Sequence, residues 1–204
     1  MNRGVVITPY YKESRETLEQ CIESVDAQTI PVQHIMVADG FPQDWIDQRA
    51  NHLRLPVAYY DWGNGPRAVA LSLFKAADFA AFLDADNQYD SDHIAVCLAT
   101  AEQNPGCDYV ATQERFARAV PGGFVTSHAK AEPQEQHVDS SCFFLLPQCY
   151  DVAIKAFSTA PDPYRGDRNL YACLKAAGLR VAFTNRITMT YNISSLHPDK
   201  KHPR

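Results

Sequence analysis

Asp84 and Asp86 stand two residues apart where an apolar run stops, in the stretch FAAFLDADNQYD (79–90). Carboxylates repel one another and are costly to bury without a partner. Residues two apart in an extended or turning segment point the same way. Two carboxylates on one side are a seat for a hard divalent cation, which takes oxygen ligands and cancels the repulsion. The alternative is a pair of turn-forming and capping acids, since Asp favours both uses. Their place at the end of an apolar strand favours the cation seat, because ligands of open α/β sheets gather at strand C-termini. A calcium EF-hand is excluded: counted from Asp84, its glycine position is Tyr89 and its bidentate glutamate position is Ala95.

Three further places could carry chemistry. Asp39 ends a second apolar run, HIMVA (34–38), and is followed by Gly40. The segment WGNGPRAVALS (62–72) places two glycines before a helical pattern, and a helix N-terminus preceded by glycine can cradle phosphate. It is neither GxGxxG nor a P-loop, so a dinucleotide site or an ordinary kinase is unsupported. Arg67 at this helix start can meet a diphosphate or a base, or be a solvated surface residue. Asp167 precedes a helical stretch and is expected as its N-cap, with Arg165 and Arg168 beside it holding it ionised. The seven histidines form no metal-binding pair at short spacing.

These residues need elements to position them. GVVIT (4–8), HIMVA (34–38), PVAYY (56–60), FAAFL (79–83) and DYVAT (108–112) read as short strands, and Pro9 is expected to end the first. Between them, the stretch after Ser14 (with Leu18, Cys21, Ile22 and Val25 on one face), RAVALSLFKAA (67–77) and SDHIAVCLATAEQN (91–104, capped by Ser91 or Asp90) read as helices. Strands that alternate with helices and are apolar on both faces imply an α/β fold with a mostly parallel sheet sandwiched by helices. Asp39 and Asp84 would then converge on one crevice. Further on, 120–137 reads as a polar loop, SSCFFLL (140–146) as apolar, RNLYACLKAAG (168–178) as a helix with Leu170 and Leu174 inward, and RVAFT (180–184) and ITMTY (187–191) as two closing strands.

A chain of 204 residues, 46% apolar, suits one core; no internal repeat or dividing linker interrupts it. The expected division is one domain with a regular first half (about 1–112), a less regular second half (about 113–195) and a polar tail (196–204). A net charge of -5 argues against a nucleic-acid partner. Six scattered cysteines without a CxxC pair read as reduced thiols of a cytoplasmic protein. The first residues are too soon interrupted for a signal peptide, and no run approaches a membrane span, so a soluble protein is expected, with peripheral membrane contact open.

Taken in order, these stretches resemble the family 2 glycosyltransferases, which have the GT-A fold, a Rossmann-like architecture. VVITPYYKESRETLEQCIESVDAQT is similar to the family opening, with ESVDAQT a close match; VADGF, NGPRAVALS, DADN and GDRNLYACLKAAGLRVAF follow as counterparts of its later motifs. The likeness covers about residues 4 to 191. It implies a metal-dependent, inverting transfer of a sugar from a nucleotide-diphosphate sugar, foremost a UDP-sugar, to an acceptor hydroxyl. By resemblance, Pro9, Tyr11 and Glu13 line the nucleotide pocket, Asp39 bonds the base, and Arg67 assists base or diphosphate. Asp84 touches the ribose or the water shell of the metal, Asp86 binds Mn2+ or Mg2+, and Asp167 is the general base. His197 resembles a late histidine that completes some metal sites of this fold. The segment 120–137 would close as a lid. The chain departs from the family pattern at Tyr10, Lys12, Ala38 and Gly166, the last in place of a glutamate. A non-catalytic nucleotide-sugar binding module and a nucleotidyltransferase are the other readings weighed; the latter lacks its glycine-rich N-terminal loop.

Overall fold

The computed structural model describes residues 3–120, 123–129 and 139–192. His197 and the greater part of the expected lid lie outside them. The strands are β1 (Gly4–Tyr10), β2 (Gln33–Asp39), β3 (Asn51–Leu55), β4 (Phe79–Phe82), β5 (Gln88–Tyr89), β6 (Tyr109–Val120), β7 (Gly123–Ala129), β8 (Phe143–Leu145) and β9 (Val181–Asn192). The helices are α1 (Arg15–Asp26), α2 (Asn64–Leu73), α3 (His93–Gln103), α4 (Tyr150–Ser158) and α5 (Gly166–Ala176). The strands form one mixed sheet in the order β3-β2-β1-β4-β8-β6-β9-β5, with β7 on β6. β3, β2, β1 and β4 are mutually parallel, as is β6 with β9, while β8 runs antiparallel to both β4 and β6. The expected α/β fold with helices on both faces is what the chain adopts.

β1 is buried along its whole length. Alternate residues of β2 feed two different clusters: Ile35 and Val37 join the main core, Met36 and Ala38 a smaller one with Leu18, Ile22 and Ile46. This two-face burial is why these strands read as continuous apolar runs rather than alternating ones. α1 starts where Ser14 Oγ accepts the Thr17 N–H at 3.2 Å, and it buries Leu18, Cys21, Ile22 and Val25. α5 buries Leu170 and Leu174 and stops at Gly178, whose φ of +72° and whose bond from Leu179 N–H to Leu174 O form a glycine C-cap.

Several expectations need correction. Pro9 does not end β1 but lies inside it, opposite Val37. Ile7 O accepts from Leu83 N–H on the β4 side, so Pro9, two residues on, faces the same side, where β4 has already ended. Its missing N–H breaks no ladder bond there. The third strand is Asn51–Leu55 rather than 56–60: it is the sheet edge, so it tolerates polar residues, while Tyr60 lies in the left-handed region at φ 57°, incompatible with a strand. The two closing strands are one, β9, bent by register irregularity between Ala111 and Glu114 of its partner β6. Within the expected loop 120–137, Gly123–Ala129 is a strand paired with β6. α3 starts at His93, so its N-cap residue is Asp92 rather than the expected Ser91 or Asp90; no side chain caps it, and Asp92 pairs with Arg186 instead. α4 went unnoticed in the sequence.

Candidate active site

The parallel register brings the ends of β2, β1 and β4 to one edge. Asp39 is the last residue of β2, and Asp84 lies two residues beyond β4. They are separated by β1, hence by two strand spacings, roughly 10 Å. Burial alternates from 84 to 87: Asp84 and Asp86 are half-buried, while Ala85 and Asn87 are buried. The two carboxylates therefore share the open side of the turn.

Asp84 is the best-held member. Arg67 Nη2 forms an ion pair with its Oδ1, and Ser140 Oγ donates to the same oxygen at 3.2 Å. Its backbone N–H donates to Ser141 Oγ at 3.1 Å, and Ser141 Oγ also accepts from Asn87 Nδ2 at 3.2 Å. Asp139 Oδ1 in turn accepts the Ser141 N–H at 2.8 Å. The sequence signal for this support is the Asp-Ser-Ser run at 139–141, whose short polar side chains favour local turns; Ser140 and Ser141 head the stretch 140–146 expected only as apolar. Burial, together with the charges of Asp84 and Glu114, raises the Asp139 carboxyl well above the usual carboxylate range.

Arg67 reaches Asp84 from the first turn of α2, and its Nη1 donates to Trp62 O at 3.0 Å. α2 begins earlier than the expected residue 67 because Asp61 Oδ2 accepts the Gly65 N–H at 2.6 Å and Gly63 takes φ +79°. A side chain at Gly63 would bring its Cβ 2.8 Å from Pro9 Cγ, so this close approach sets the helix start directly on the end of β1. Asp61 was missed in the sequence. Burial raises its pKa, opposed by the bond from Gly65 and the Arg67 charge.

Around Asp39 lies a second group. Asp39 is buried, and Oδ1 accepts the Tyr59 N–H at 2.7 Å. Tyr11 packs edge-on against Phe41 and Tyr60 at 4.7 and 5.8 Å, with Lys12 Nζ over the Tyr11 ring at 4.8 Å. A hydrogen bond to Tyr11 is the main cause that raises the Tyr60 phenol, and Asp39 adds to it. Glu13 Oε2 accepts the Tyr11 N–H at 2.6 Å, which fixes the turn after β1. Beneath, burial pushes the Cys21 thiol up; its bond to Thr8 opposes this, and the charges of Asp86, Asp84 and Glu13 add to it.

Asp167 is not an N-cap. It sits in the first turn of α5, and its Oδ1 accepts the Arg168 N–H at 2.7 Å, while Arg165 pairs with Asp162. The start of α5 is tied to that of α2 by Asn64, a buried residue the sequence reading passed over. Asn64 Nδ2 donates to Asp61 O at 2.6 Å and to Pro163 O at 2.8 Å, joining the start of α2 to the turn that leads into α5. Pro9, Arg67, Asp84 and the α5 start are thereby linked by contact, and Tyr11, Glu13, Asp39 and Asp86 border the same strand edge.

No three His, Cys, Asp or Glu side chains among the described residues lie close enough to hold a metal alone. The donor chemistry nonetheless fits a hard cation: Asp86 offers half-exposed carboxylate oxygen, and Asp84, tied to Arg67, is suited to the outer shell. Mg2+-like ions are commonly held by one or two carboxylates plus substrate phosphates.

The family model described as Glycosyl transferase family 2 matches residues 5–146. A comparison with curated protein sequences gives no match. Among solved structures, S. aureus TarS 1-349 in complex with UDP is similar, at 14% identity and a TM-score of 0.61 over 94% of this chain and 60% of that one. The same TarS fragment in complex with UDP-GlcNAc gives 14% identity and a TM-score of 0.65 over 93% and 58%. The chain thus spans about three-fifths of the length of the TarS fragment, and the likeness is one of fold.

Proposed function

Because the chain belongs to glycosyl transferase family 2, we propose that it transfers a sugar from a UDP-sugar to an acceptor hydroxyl, inverting the anomeric centre. The observation that carries this is the Arg67–Asp84 pair, set where the glycine-led start of α2 meets the ends of β1 and β4. That edge combines a buried cation, helix N-terminal amides and the aromatic group around Asp39, which together suit a nucleoside diphosphate. The TarS complexes with UDP and UDP-GlcNAc support the choice of base.

In this reading, Asp39, Tyr11 and Tyr60 hold the base, with Pro9 and Glu13 shaping the turn beneath it. Arg67 meets the diphosphate. Asp86 would hold Mn2+ or Mg2+, with Asp84 at its outer shell; when bound, the ion offsets the charge that develops on the departing diphosphate. Asp167 accepts the proton of the attacking hydroxyl as the new glycosidic bond forms and the sugar–phosphate bond breaks, a role typically worth about 10²–10⁴-fold. The free thiols support a reducing, cytoplasmic setting; among the described residues no helix is long and apolar enough to cross a membrane.

The test pairs binding with turnover. UDP should raise the melting temperature more with Mn2+ than without, and Asp167→Asn should keep that shift while losing transfer from UDP-sugars. Gly166, where the family has glutamate, motivates a non-catalytic binding module as the second reading; it would show the shift and no turnover even in the wild type.

A further inference from the structure

Five of the eight large apolar side chains that are exposed among the described residues, Phe41, Tyr59, Tyr60, Trp62 and Tyr164, lie on the rim of this site. Concentrated exposed apolar surface marks an interaction site more often than chance. Two of them form a unit distinct from the base-binding group. Trp62 and Tyr164 meet edge-to-face, with centroids 5.2 Å apart and planes at 76°, yet remain 41% and 65% exposed. The pair makes an L-shaped, partly exposed aromatic shelf.

The shelf is built rather than accidental. Trp62 is held in the left-handed region at φ 62°, a conformation that L side chains adopt rarely and that concentrates at ligand sites. Its carbonyl accepts from the buried Arg67. The two Asn64 amide bonds fall on Asp61 O and Pro163 O, the residues immediately before Trp62 and Tyr164. One buried amide therefore fixes both ring-bearing segments. Position is equally informative: Trp62 adjoins the cation proposed to meet the diphosphate, and Tyr164 lies three residues before Asp167. A ligand on the shelf spans the gap between donor and base.

We infer that Trp62 and Tyr164 bind the acceptor, and that the acceptor is a neutral pyranose whose C–H face stacks on these rings. The inference rests on the sugar-transfer reading of the same site. Aromatic faces carry partial negative charge and attract the weakly positive C–H bonds of a sugar ring face. The segment 162–168 carries two acids and two arginines, with Arg165 paired to Asp162 at 3.5 Å, so the rim presents no net charge to hold an anionic acceptor. A stacked ring would have its rim hydroxyls directed outward, one of them toward the start of α5, where Asp167 can take its proton.

Saturation-transfer NMR of the whole chain, with UDP and Mg2+, tests this using methyl β-D-glucopyranoside, methyl β-D-galactopyranoside and N,N′-diacetylchitobiose. Sorbitol serves as an acyclic polyol control. At least one pyranoside should bind while sorbitol does not. Trp62→Leu and Tyr164→Leu should each weaken that binding by about tenfold, and Trp62→Phe should recover most of it. The thermal shift with UDP, read on the same samples, reports folding and the nucleotide site. A UDP shift with no pyranoside signal overturns the shelf and leaves the transfer reading standing; so does equal binding of sorbitol, or leucine variants that titrate like the wild type. Pyranoside binding without any UDP shift overturns the transfer reading, and with it the acceptor role of the shelf. Failure of both overturns both.

Discussion

A Cβ added to Gly166 would lie 1.9 Å from Asn64 Oδ1. The glycine at this position, by resemblance the counterpart of a family glutamate, is thus required by the close approach of two helix starts. Asn64 fills the space with a buried amide that holds both.

Gly166→Glu should therefore not restore a missing catalytic group. Asn64 must move, losing its bonds to Asp61 O and Pro163 O, at a cost of about 1–3 kcal/mol. Urea denaturation should show that loss, and Asn64→Gly added to Gly166→Glu should recover part of it relative to the sum of the single changes.

Arg67→Met removes the cation from a pair in which Arg67 is 5% and Asp84 30% exposed. Among the described residues, the half-buried carboxylate keeps only the Ser140 hydroxyl, and partial exposure moderates the penalty to about 2 kcal/mol. Chemical denaturation should register this, and the UDP thermal shift should shrink as well.

Asp86→Ala should separate binding from metal dependence. The UDP shift without metal should persist, its Mn2+ increment should vanish, and turnover should fall by roughly 10²–10³-fold, the scale of losing several kcal/mol of charge stabilisation. Unchanged Mn2+ dependence would remove Asp86 from the metal site.

Acid should destabilise the fold through two buried histidines. Burial pushes both His34 and His93 down to about 3. Between that value and the ordinary one near 6.5, the unfolded chain binds protons that the folded chain refuses. Stability is fully kept above about 6.5 and falls as pH drops, by about 1.4 kcal/mol per pH unit for each histidine. Asp139, raised in the fold, acts in the opposite sense, since its protonation on acidification favours the native state. Asp61, also raised by burial, acts in the same sense as Asp139, so the histidine share is read by difference: between pH 6.5 and 5 the unfolding free energy of His34→Gln should fall less with acid than that of the wild type.

The central strands were legible because burial on both faces leaves unbroken apolar runs, as in β1, β2 and β4. The edge strand β3 was not: NHLRL is half-exposed, and the neighbouring aromatic run in 56–60 mimicked a strand. Those aromatics are apolar because they line a rim, a use that composition cannot distinguish from core. The acids Asp39, Asp84 and Asp86 could be found because they stand where apolar runs stop. Their supports could not. Asn64 and Ser141 are ordinary polar residues locally, and only partners 99 residues away (Asn64 to Pro163) and 57 residues away (Ser141 to Asp84) give them meaning.

Pro9 carries a last implication. An ordinary residue there would offer an N–H toward the gap left by β4, an invitation for the chain after Phe82 to continue pairing. Proline withdraws that donor, so one of the ladder bonds that would draw the two strands together beyond Phe82 cannot form. A missing hydrogen thus leaves the far end of β1 without one donor for its neighbour, and the chain after Phe82 is freer to turn away into the acids that follow.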